Sequence, residues 1–131
     1  MDARQRLHIA EKALQSLEAI PLPPRSEIER DAAIQRFEYT FEALWKAAAA
    51  VLLQGYGVKL AAPKPVIRAC RENHLLSDEE AALALAMADA RNLTSHTYHP
   101  AIAEAIAEKI PLYRLLMRRW LEQLRQTLEL S

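Results

Sequence analysis

Only two glycines occur in this 131-residue sequence, Gly55 and Gly57, and they stand two positions apart. A sheet protein of this length needs many tight turns and a supply of β-branched residues to fill its strands. Here alanine and leucine dominate instead, and both are strong helix formers. The expected fold class is all-α. With 51% apolar residues and no interdomain linker or low-complexity tail, residues 1–131 read as one domain with a real core.

Apolar spacing and turn chemistry divide the chain. Leu7, Ala10, Leu14 and Leu17 recur at helical intervals, giving a first helix over 2–19. It must stop before Pro21-Leu22-Pro23-Pro24. Ser26 with Glu29 forms a capping box, which opens a second helix. Its stripe is Ile34, Phe37, Phe41, Leu44, Trp45, Ala48 and Leu52, it runs to Gln54, and Gly55 is its expected stop.

After a loop to Pro63, Pro65 sits in the first turn of a short third helix ending near Asn73. Ser77 and Glu80 form a second capping box before a fourth helix. Pro100 opens a fifth, which Pro111 is expected to kink or divide. The sum is an up-and-down bundle of four long helices plus a short one. The second helix is apolar on more than one flank, as expected of a face buried in a homodimer or of a central core helix.

Lysine plus arginine equals aspartate plus glutamate, 17 against 17, which argues against non-specific coating of nucleic acid. Cys70 is alone and has no disulfide partner, although Arg68 and Arg71 beside it would lower its pKa if they approached the thiol. The longest apolar run, 47–53, is too short to span a bilayer, and no secretory segment opens the sequence. A cytoplasmic protein without membrane contact is expected. His96 and His99 lack an acidic or cysteine ligand to complete a usual metal set, and no phosphate loop or dinucleotide fingerprint is present, so neither metal nor cofactor is expected.

Chemistry concentrates in Arg91-Asn-Leu-Thr-Ser-His-Thr-Tyr98. Asp89, Asn92 and His96 fall within about 60° of one another on a helix, whereas Arg91 lies about 140° from His96. Arg91 and His96 therefore meet only through a break in the helix, arginine's length, or a second subunit. Histidine moves protons near neutral pH, and arginine offers a fixed positive fork to a phosphate. That pair suffices for metal-free RNA cleavage, with the 2′-OH as nucleophile, and a two-fold dimer would supply an acid and a base. Read as plain structure, Thr94, Ser95 and Thr97 are the capping groups of a helix end. Glu38, Glu42 and Lys46, spaced by four, read as a solvated stripe on the second helix.

The Arg-x4-His-x-Tyr pattern of Arg91, His96 and Tyr98, with the string from Asp31 to Lys46, resembles the HEPN superfamily. Within it the sequence is similar to HepT-like toxins and nucleotidyltransferase substrate-binding proteins. The resemblance implies a HEPN-like helical bundle forming a homodimer around the motif, paired with a cognate minimal nucleotidyltransferase antitoxin. For a HepT-like toxin it implies a ribonuclease acting on RNA, with Arg91 and His96 as the catalytic pair and Asn92 in support. Tyr98 would be the residue silenced by AMPylation, and Asp89 would orient His96. Two other functions stay open beside the ribonuclease: a non-catalytic substrate-binding or adaptor subunit of a nucleotidyltransferase, and a dimeric scaffold.

Overall fold

A computed structural model describes residues 1–130. Five α-helices and one 3₁₀ turn follow in order: α1 Ala3–Glu18, α2 Glu27–Tyr56, α3 Pro63–Glu72, α4 Asp78–Asn92, the 3₁₀ turn Leu93–His96, and α5 Pro100–Leu130. No strand occurs among the described residues, so the chain is an all-α bundle.

Local chemistry sets most boundaries. The Asp2 carboxylate accepts from Gln5 N–H at 2.8 Å, and the Gln5 amide oxygen accepts from Asp2 N–H at 3.0 Å. This reciprocal box starts α1. Ser77 and Glu80 make the same arrangement at the start of α4. The expected box at Ser26 is only half formed: Ser26 accepts from Glu29 N–H, but Glu29 turns back to Arg25 instead. α2 also outlasts its expected stop. Gly55 is still helical, and the helix ends at Gly57, which takes the left-handed conformation with φ 68°.

Pro111 does not divide the last helix, which runs unbroken from Pro100 to Leu130. Pro111 is exposed, while Ile110, Tyr113, Leu116 and Met117 are buried around it. Packing holds both halves in line although Pro111 has no N–H to donate.

α1, α2 and α5 pack on one another, and α3 and α4 lean together against α2. The largest buried side chains are contributed by every helix, including Leu14, Phe37, Phe41, Ile67, Met87 and Trp120. Phe37 and Tyr113 stack with ring centres 5.5 Å apart. α2 touches every other element, as a central core helix does, while Leu53 on one flank stays exposed and Trp45 half-buried. Arg114 closes the end of α1 by donating to the carbonyls of Leu17 and Ile20, where the helix runs out of its own N–H donors. No helix among the described residues is long and apolar enough to cross a membrane.

Candidate functional site

α4 is the stem of the site. Its α-helical bonding ends at Asn92, and the next four residues tighten into the 3₁₀ turn. The threonine and serine hydroxyls there bond back to the chain: Thr97 to the Thr94 carbonyl at 3.2 Å, and Ser95 to the Asn92 carbonyl at 3.4 Å. Such local side-chain bonds compete with the α-helix and end it. The break that the spacing of Arg91 and His96 demanded is therefore present.

It does not join them. Arg91 is half-buried and points to α2, with its Nε 3.1 Å from Glu42 Oε1. The pair is close in distance, but the N–H is not aligned for a hydrogen bond, and Nε is otherwise without a partner. Glu42 also accepts from the Trp45 indole N–H at 3.2 Å. His96 is exposed and faces Tyr98, with Nδ1 3.3 Å from the phenol oxygen. Tyr98 is 72% exposed and lies against His99, ring centres 4.4 Å apart. Asn92 is exposed, and Asp89 is turned away from His96 to Lys64, at 2.6 Å. Among the described residues, no hydrogen bond or ion pair connects Arg91, Asp89 or Asn92 to His96. No cluster of three or more histidine, cysteine or acidic side chains could hold a metal there.

Two residues of the site were read from sequence as part of a solvated stripe. Glu38 and Glu42 are half-buried, and they carry the contact between α2 and the end of α4. Thr94, itself buried, donates to the Glu38 carboxylate and also lies 2.7 Å from the Arg91 carbonyl oxygen. Two carboxylates one helical turn apart thus grip the helix end from below. Their spacing was visible, but the element they face was not. Lys46, the third member of the stripe, is exposed and sits 5.9 Å from the Trp45 ring centre.

The family described as nucleotidyltransferase substrate binding protein like matches residues 5–126. The chain belongs to this family. The nucleotidyltransferase substrate-binding-like match spans all five helices and the motif. A crystal structure of a protein from Thermus thermophilus is 54% identical, covering 88% of this chain and 98% of that one, with a TM-score of 0.85. A search of curated proteins returned no match.

Proposed function

We propose that this chain is a non-catalytic substrate-binding or adaptor subunit that works beside a nucleotidyltransferase. The family description supports this reading. The observation that carries it is the engagement of Arg91 by Glu42 at 3.1 Å while His96 turns to Tyr98. A phosphate would have to compete with a carboxylate for the guanidinium, and the histidine would have no cation beside it to share the work. The chain is well provided for docking, with an exposed turn carrying Leu93, Tyr98 and His99 at one end of the bundle.

Co-expression with a neighbouring nucleotidyltransferase tests it. The two proteins should co-purify, association should survive both Arg91→Ala and His96→Ala, and the chain should cut no RNA. Failure to associate would refute the reading.

A second reading, the HepT-like ribonuclease toxin, is favoured by one observation: Tyr98 is open to solvent and stands beside His96. There a homodimer would assemble Arg91 and His96 from two subunits on RNA, with Asn92 and Asp89 in support. AMP added to Tyr98 by the antitoxin would then lie on the histidine. Expressed alone, the chain would arrest growth and fragment RNA, and His96→Ala would abolish both effects. Co-expression with an active transferase would add mass in multiples of AMP.

A further inference from the structure

On the outer side of α2, away from His96, a cleft of about 400 Å³ opens between α1, α2 and the segment joining α2 to α3. Its floor is made of small and apolar side chains on α2, Ala49, Ala50 and Leu53, with Leu60 across from them. Its charged lining is of one sign. Arg6, Lys46 and Lys59 all reach it, and no acidic residue does. None of these three side chains makes an ion pair among the described residues, although the chain as a whole carries equal numbers of acids and bases.

The cleft also holds an aromatic plate. Trp45 lines it, half-buried, and its indole N–H is tied to Glu42 at 3.2 Å. That bond fixes the ring by its edge, and the Lys46 ammonium lies over one part of its surface, 5.9 Å from the ring centre. The volume lies in the lower range of small-molecule sites and does not suit a long polymer. Three converging cations satisfy a group with several negative charges, and a fixed indole favours a planar partner.

We propose that this cleft binds a nucleoside phosphate, with its base against Trp45 and its phosphates among Arg6, Lys46 and Lys59. The site is separate from the Arg91–Tyr98 segment but is joined to it, since Glu42 holds both Trp45 and Arg91. An occupant that moves the Trp45 ring therefore acts on the carboxylate that restrains Arg91.

The test is titration of the intact chain at low salt with adenosine, AMP, ATP and inorganic triphosphate, followed by calorimetry and tryptophan fluorescence. Trp120 is buried, so a change in emission on binding reports Trp45. Affinity should rise from adenosine to AMP to ATP and fall as salt is added. Lys46→Ala with Lys59→Ala should weaken ATP by at least about tenfold for each charge-assisted hydrogen bond removed, as one such bond is worth about 1.4 kcal/mol or more. Trp45→Leu should weaken ATP while leaving inorganic triphosphate unchanged.

Absence of saturable binding by ATP would overturn the proposal. So would equal binding of ATP and inorganic triphosphate, or an ATP affinity indifferent to the double lysine variant. Preference for a polyglutamate peptide over ATP would also overturn it and mark the cleft as a surface for an acidic protein segment. Circular dichroism checks that each variant is folded. Co-purification with the transferase is scored separately, so loss of nucleotide binding and loss of the adaptor reading are told apart.

Discussion

Arg91 Nε lies 3.1 Å from Glu42 Oε1, so the arginine of the Arg-x4-His pattern is held by α2 and not by the histidine five residues on. Both side chains are partly open to solvent, at 29% and 33% accessibility. Water screens such a pair, and its N–H is out of line. Its contribution to stability is small, about 1 kcal/mol or less. Its contribution to position is larger, because it decides which way the guanidinium points.

Glu42→Gln removes the charge but keeps an acceptor for the Trp45 indole. Urea denaturation should show a loss of no more than about 1 kcal/mol. Glu42→Ala, which also strips the Trp45 N–H of its acceptor, should cost about 1 kcal/mol more. A loss above about 3 kcal/mol in Glu42→Gln would mean that the pair is a structural keystone and not a restraint.

The α1–α5 seam predicts a pH dependence. Arg118 donates to both Glu11 oxygens, at 2.7 and 2.9 Å, and Arg125 donates to Glu11 at 2.6 Å. The Arg118 hydrogen bonds foremost, with Arg125 beside them, hold the Glu11 carboxyl down to about 2, against an ordinary value of 4.5. Folding therefore favours the ionised form. The stabilisation is fully present above pH 4.5 and is lost as pH falls through about 2. The urea midpoint should fall across that interval. Glu11→Gln should lower the midpoint at pH 7 by an amount worth about 1 to 2 kcal/mol and flatten its decline in acid.

The helices were legible because their signals are local. The Ser77–Glu80 box and the prolines at the starts of α3 and α5 act through neighbours within one turn. The site was legible only in part. A helical wheel shows that Arg91 and His96 diverge, and the 3₁₀ turn after Asn92 follows from Thr94, Ser95 and Thr97. It cannot show that Glu38 grips Thr94 across 56 positions, or that Asp89 prefers Lys64. Pro111 misleads for the same reason: local chemistry says break, and the buried residues on either side of it say continue.

Cys70 is a further case in which neighbours in sequence mislead. Arg68 and Arg71 are exposed and do not activate it, while the thiol is fully buried. Burial pushes it up to about 12, and the indole N–H of Trp120 acts only weakly the other way. Native protein at pH 8 should therefore resist a disulfide-exchange reagent, and one thiol should react at once in denaturant. Rapid reaction of the folded chain would show that α3 opens readily.

The two glycines give the sharpest contrast, because a methyl group meets nothing within 4 Å at either position. Space is therefore the same, and backbone conformation alone decides the sign. Gly55 is helical and exposed, and glycine inside a helix is worse than alanine by about 0.5 to 1 kcal/mol. Gly57 has φ 68°, where an L side chain costs about 1 to 2 kcal/mol. Gly55→Ala should raise the melting temperature and Gly57→Ala should lower it, with the double variant near the sum. Since Gly57 N–H bonds to the Leu53 carbonyl and Val58 N–H to the Leu52 carbonyl, strain at residue 57 should also loosen the segment that carries Lys59. Hydrogen exchange at Val58 and Lys59 should then quicken in Gly57→Ala and not in Gly55→Ala. If both variants stabilised the chain, α2 would end by simple fraying, and the left-handed cap at Gly57 would have no energetic role.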